Sequence, residues 1–245
     1  MTMTSAKVDS PMQTTTPLLQ IRDLHKNYGK TTALAGVNLD LTAGRIVGLL
    51  GENGCGKSTL LKTIAGVVSD YRGDVRVLGQ TPGPETKAVT SFLPDSEFLP
   101  REMTVRYYLE MYQDFFADFD RERALEMINF FGLNEKKKLK EMSKGMREKV
   151  QIALTMSRRA KLYLLDEPIS GIDPAAREGI LDGILRNLEP DSLVIMSTHL
   201  IHDLEAALDS VIFMRHGQIT LTGDADDLRA EHGLSIDELF RKVYR

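Results

Sequence analysis

The chain has 245 residues, 42% of them hydrophobic and 27% charged, with a formal net charge of −4. That balance suits a globular protein with a sizeable core; it excludes a disordered or fibrous chain and argues against a dedicated nucleic-acid binder, which carries a basic excess. No apolar run approaches the ~18 residues needed to cross a bilayer, so any work at a membrane would need a partner to supply the membrane part.

Residues 1–17, rich in Thr and Ser, lack the apolar stretch of a secretory signal and read as a flexible N-terminal tail, with Met1, Met3 and Met12 as alternative starts. From Leu18 to Leu41 apolar and polar residues alternate loosely around a turn signal at Tyr28-Gly29-Lys30, which predicts short antiparallel strands. Ile46-Val47-Gly48-Leu49-Leu50 is a continuous apolar run, as in a strand buried on both faces. A Gly-rich turn follows, and Leu60, Leu61 and Ile64 then give Lys57 to Ala65 a helical spacing.

Between about Met103 and Arg159 no strand pattern occurs. Val105, Tyr108, Leu109, Tyr112, Phe116 and Phe119 are predicted to share one helical face, and Leu125, Ile128 and Phe131 to begin another. Strand character returns at Leu162–Leu165 and Leu193–Met196, each followed by a helical stretch, the pattern of βα units around a parallel sheet. A final hairpin is expected over Val211–Leu221, turning at His216-Gly217.

Gly51-Glu52-Asn53-Gly54-Cys55-Gly56-Lys57-Ser58 matches the phosphate-binding pattern G-x-x-x-x-G-K-[S/T], between a predicted strand and a predicted helix. Its glycines let backbone N–H groups wrap phosphate oxygens, and the helix aims its positive end at the same anion. Lys57 can reach the β- and γ-phosphates, while the Ser58 hydroxyl can take a position on Mg²⁺. Downstream, the strand Leu162–Leu165 ends in Asp166-Glu167: the first acid can hold a Mg²⁺-bound water and the second can orient and deprotonate the attacking water. Ser170-Gly171-Ile172-Asp173, Ser197-Thr198-His199 and Met142-Ser143-Lys144-Gly145-Met146 complete the set.

In this order the motifs resemble those of the ATP-binding subunit of an ATP-binding-cassette (ABC) transporter, over about Leu18 to Leu228. The resemblance implies an α/β phosphate-loop ATPase core with an antiparallel β subdomain and a helical subdomain at about 103–159, all within one ATP-binding domain, 18–245. It implies that Tyr28 stacks on adenine, that Gly51 to Ser58 and Thr59 hold the phosphates of ATP, and that Asp95 occupies the place of a Gln near the Mg²⁺. Ser143, Lys144, Gly145 and Met146 match the signature that completes the site of an opposing subunit; Asp173 belongs to the loop joining two such sites, and His199 contacts the γ-phosphate. Glu167, His199 and Lys57 would then be catalytic, and Ser58, Asp95 and Asp166 would hold the metal.

Asp95 stands where the family has Gln, and Lys144 and Met146 depart from its Leu-Ser-Gly-Gly-Gln signature. The Ser-Lys-Gly-Met wording resembles bacterial cassettes that pair with separately encoded exporter-type membrane subunits. The implied partners are a membrane permease and a second ATP-binding subunit, identical or not, at the cytoplasmic face of the cell membrane, with no nucleic acid. The alternatives are a soluble ABC ATPase acting on DNA or ribosomes and a low-turnover regulatory subunit.

Three features have two readings each. Tyr28 is either a turn tyrosine or the adenine platform. Cys55 is either an inert small residue or a thiol activated by the helix N-terminus, and its lone status points to a reducing, cytoplasmic setting. Lys136, Lys137, Lys138 and Lys140 form a solvated face or a contact for acidic lipid or a membrane subunit. Phe98, in the stretch that leads from Asp95 into the helical lobe, and Tyr107, off the core face of its first helix, are candidates for docking a membrane subunit.

Overall fold

In the computed structural model, which describes residues 16–244, the chain opens with a long hairpin. β1 (Leu19–Tyr28) turns at Gly29-Lys30 into antiparallel β2 (Thr31–Leu41). These strands are long where short ones were predicted, because irregularities in their pairing, such as that between Ile21 and Leu24, interrupt the period-2 alternation without ending the ladder. The tail predicted over 1–17 lies outside the described residues, apart from Thr16 and Pro17.

β3 (Arg45–Leu50) leads through the Gly-rich turn into α1 (Lys57–Ile64). β4 (Arg72–Val77), α2 (Pro84–Ala88) and β5 (Thr90–Leu93) follow, none of them predicted. The next segment holds α3 (Val105–Phe115), α4 (Arg121–Phe130), a 3-10 turn at Leu139–Glu141 and α5 (Lys144–Met156). β6 (Leu162–Asp166), α6 (Pro174–Leu185), β7 (Leu193–Thr198) and the short α7 (Ile201–Leu204) return to the sheet. The hairpin of β8 (Ser210–Arg215) and β9 (Gln218–Asp224) and helices α8 (Ala225–His232) and α9 (Ile236–Val243) close the chain.

Two predicted helical faces are corrected. α3 buries Val105, Tyr108, Leu109 and Tyr112, but it ends at Phe115. Phe116 is already extended, and it and Phe119 pack back on the Tyr112 ring at centroid distances of 5.2 and 5.5 Å. Their helical spacing reflects that aromatic cluster and not a continuing helix. In α4, capped by Asp120, the buried stripe is Ala124, Met127 and Ile128; Leu125 is only half-buried and Phe131 is the C-cap.

β2, β1 and β4 form one antiparallel sheet. The other has the order β5-β6-β7-β3-β8-β9, parallel except for β9. β3 is buried on both faces: Val47 and Leu49 join the core under the antiparallel sheet and α1, whereas Leu50 joins the larger core under the helices. The register pairs Leu50 with Thr198 and Asp166 with Ser197, so the C-terminal ends of β3, β6 and β7 reach one edge together. In a parallel sheet that edge is where loops build a ligand site.

Candidate nucleotide-binding site

The loop after β3 needs glycine where the backbone runs closest to its neighbours. A Cβ on Gly51 would lie 2.4 Å from the Met214 carbonyl oxygen, and one on Gly56 would lie 2.4 Å from that of Ala33. Gly56 also has φ +113°, which side chains rarely adopt. From beneath, Gly217 N–H in the β8–β9 turn donates to Cys55 O at 2.9 Å. Glu52, Asn53 and Gly54 are exposed, while Ser58 and Thr59 begin α1 half-buried. Lys57 is buried and folds back on the loop, donating to the carbonyls of Gly51 (2.7 Å) and Glu52 (3.2 Å).

Asp166 and Glu167 leave β6 beside this loop. The Ser197 hydroxyl donates to Asp166 Oδ1 (2.6 Å) and accepts from Glu167 N–H (3.0 Å), tying β6 to β7 at the point where the acids diverge. Glu167 adopts φ +50°, a strained conformation costing about 1–3 kcal/mol that its backbone bond to Ser197 helps hold. Its Oε2 is 2.9 Å from His199 Nδ1 and its Oε1 is 3.7 Å from Lys57 Nζ. The three sequence-predicted catalytic residues thus meet at the Glu167 carboxylate.

Burial pushes the Asp166 carboxyl above its ordinary range, opposed by the hydrogen bond from Ser197 and by the nearby Ser58 hydroxyl. Its Oδ2 is buried without a hydrogen-bond partner, as is Glu167 Oε1. Leaving such oxygens unpaired is costly. A hard cation between Asp166 and Ser58 would satisfy the first, so the donor set fits Mg²⁺. Asp95, just past β5, forms an ion pair with Lys62 Nζ at 3.7 Å and adds negative charge near Asp166.

The signature segment starts α5. Ser143 is its N-cap, with Oγ accepting from Met146 N–H at 3.3 Å, and Asp173 caps α6 by accepting from Ala175 N–H at 3.0 Å. Among the described residues no hydrogen bond joins Ser143, Gly145 or Met146 to the phosphate loop. Lys144 does share a cavity of about 300 Å³ with Asp95, Glu148, Asp166, Glu167 and Ser170, and its ammonium sits 3.6 Å from Glu148. Tyr28 is exposed at the end of β1, with Lys26 Nζ 4.8 Å from its ring centroid. The four lysines at 136, 137, 138 and 140 are all exposed.

Cys55 corrects the activated-thiol reading. It is buried in the core beneath the loop, with its sulfur toward Gly51, and burial pushes the thiol above its usual value, outweighing Lys57 and the backbone N–H groups. A bulky maleimide should therefore leave native protein unmodified over hours, with or without ATP. Stoichiometric labelling within minutes, read by intact mass, would contradict this placement.

Sequence reasoning assigned no role to Ser197, Lys62 or Glu148. The signal for Ser197 was its place at a strand end just before Thr198-His199.

The family model described as ABC transporter matches residues 34–170, more than half of the chain. The ABC-type transporter ATP-binding protein EcsA of Bacillus subtilis is 29% identical over 237 residues, spanning 92% of this chain and 96% of that protein. The linearmycin resistance ATP-binding protein LnrL of Bacillus subtilis is 30% identical, spanning 88% and 72%. Among solved structures, an ATP-binding subunit of an ABC transporter superposes with a TM-score of 0.83 at 28% identity, covering 93% of this chain and all of that one. A dimeric bacterial ABC transporter cassette shares the fold, with a TM-score of 0.75 at 22% identity, over 84% of this chain and 98% of that one. With its phosphate loop, paired acids and histidine gathered at one sheet edge, the chain belongs to the ABC transporter family and is one of its ATP-hydrolysing cassettes.

Proposed function

We propose that this cassette powers movement of a solute, outward across the cell membrane, through a separate permease docked on its helical lobe. The observation that carries this reading is an apolar groove of about 500 Å³ lined by Phe98, Leu99, Met103, Tyr107, Met111 and Phe115. Phe98, Tyr107 and Phe115 are 38%, 45% and 77% exposed, an arrangement with a desolvation cost that a docked apolar helix would relieve. Among the described residues no helix is long and apolar enough to cross a membrane. The linearmycin-resistance relative lends weight to export, and the lone cysteine to work at the cytoplasmic face.

The groove is wired to the site. Glu97, at its lip, holds Arg147 through two nitrogens (3.0 and 2.7 Å), and Phe98 N–H donates to Gln151 at 2.9 Å. Both partners lie on α5, the helix that begins at Ser143. A push on the groove therefore reaches the signature as a rigid-body movement of α5.

In this reading Tyr28 stacks on adenine, and Gly51 to Thr59 cradle the phosphates, with Lys57 leaving its loop carbonyls to pair with them. Ser58, Asp95 and Asp166 would hold Mg²⁺, which supplies charge neutralisation at the phosphates. Glu167 takes the proton of the attacking water while His199 fixes its carboxylate and faces the γ-phosphate. Ser143 to Met146 and Asp173 complete the site of a second cassette facing the first. Such closure and reopening on hydrolysis is a domain motion of the kind that gates many enzymes.

Phe98→Ala together with Tyr107→Ala should release the cassette from the membrane fraction of its own cells, while the purified variant binds ATP and hydrolyses it at the basal rate. Buried aromatic anchors commonly cost ~2 kcal/mol or more on truncation. Unaltered membrane association would overturn the docking role, and a melting temperature lowered by many degrees would show the two side chains to be core.

A further inference from the structure

Lys62 is a cation at the border of this site. Lys62 lies on α1 one turn after Ser58, and residues four apart share a helix face. Its ammonium therefore follows the Ser58 hydroxyl along the side of α1 that meets Asp166, and it reaches Asp95 Oδ1 at 3.7 Å. Asp95, Asp166 and Glu167 line one cavity. Of the nearby cations, Lys57 is engaged by two loop carbonyls and by Glu167, Lys144 by Glu148 and Arg101 by Glu97, which leaves Lys62 to balance Asp95.

We propose that Lys62 is a positioning residue whose charge cancels that of Asp95, so that the two form an electroneutral pair that sets how tightly a divalent cation is held between Ser58 and Asp166. The inference rests on the reading of this site as a metal–nucleotide site. It accounts for an acid where the resembled family carries a neutral amide: the pair keeps the net charge of that amide. Asp95 alone would over-bind the cation, and Lys62 alone would repel it. Because both side chains are partly in water, each single change should move affinity by roughly fivefold. The directions are opposite, which a loss of structure cannot imitate.

The test uses the full chain with a saturating non-hydrolysable ATP analogue and Mn²⁺ as the probe, its binding followed by electron paramagnetic resonance. Lys62→Met should tighten Mn²⁺ roughly fivefold and Asp95→Gln should weaken it by a similar factor. The double variant should return to within about twofold of wild type, and Lys62→Arg should match wild type. Lys62→Met binding Mn²⁺ no more tightly than wild type, or a double variant as weak as Asp95→Gln, would overturn the pairing while leaving the site intact. Wild-type protein that binds the analogue but no Mn²⁺ would instead overturn the metal–nucleotide reading on which it stands.

Discussion

Glu167→Gln should leave ATP bound and cut turnover by at least about 100-fold, since a positioned general base contributes typically 10²–10⁴. The substitution is nearly isosteric. It leaves the backbone bond to Ser197 in place and alters only the proton-accepting capacity of the side chain. Glu167 Oε2 is occupied by His199 at 2.9 Å, so Oε1, buried and without a hydrogen-bond partner, is the oxygen available to a water. An amide there can orient that water but cannot take its proton. A loss in kcat with little change in ATP affinity is the signature of an interaction needed only in the transition state. ATP should also accumulate in a closed pair of subunits, seen as a dimer by size-exclusion chromatography. Wild-type hydrolysis in the variant would remove Glu167 from the role of base.

The parts of the site that were legible in the sequence are those that are contiguous along it. Gly51 to Thr59 spans a loop and a helix start, and every group that would wrap a phosphate lies within nine residues. Asp166-Glu167 is legible for the same reason, as the polar end of an apolar run. What joins these pieces was not legible, because it depends on strand order. Ser197 meets Asp166 only because β6 and β7 are neighbours in register, and Lys62 meets Asp95 only because the chain end of β5 comes up beside α1. No local periodicity encodes either meeting. β4 and β5 escaped because each offers too little pattern: β4 buries only Val75 and Val77 fully, and β5 has four residues. The overrun of α3 through Phe119 has the opposite cause, an apolar spacing that continues after the backbone has left the helix.

Arg158 belongs to no motif in the sequence, and its replacement by Met should be the largest stability change outside the site. The side chain is buried and pairs with Asp118 through two nitrogens, at 2.8 and 2.9 Å. It also donates to the carbonyls of Thr90 and Ala88, each at 2.7 Å, and its guanidinium lies 4.0 Å from the Phe116 ring centroid. A single planar fork thus ties the end of α5 to the start of β5 and to the loop between α3 and α4. Lysine could not copy this, because it offers a point charge in place of a fixed set of donors. Methionine keeps the packing against Phe116 but leaves Asp118 and two carbonyls without a partner. Removing one member of a buried pair costs about 3–5 kcal/mol. At roughly 2–4 °C per kcal/mol for a chain of this size, the melting temperature should fall by about 10 °C. Adding Asp118→Leu should recover part of that loss, since it removes the stranded carboxylate. A fall of less than about 3 °C, or a double variant less stable than Arg158→Met, would show that Asp118 is well solvated and that the fork contributes little. The same cut should loosen β5, and with it Asp95, before the sheet as a whole unfolds. Amides of Ser91 to Leu93 should then exchange with deuterium faster in Arg158→Met than those of β6, the neighbouring strand, which is buried along its whole length.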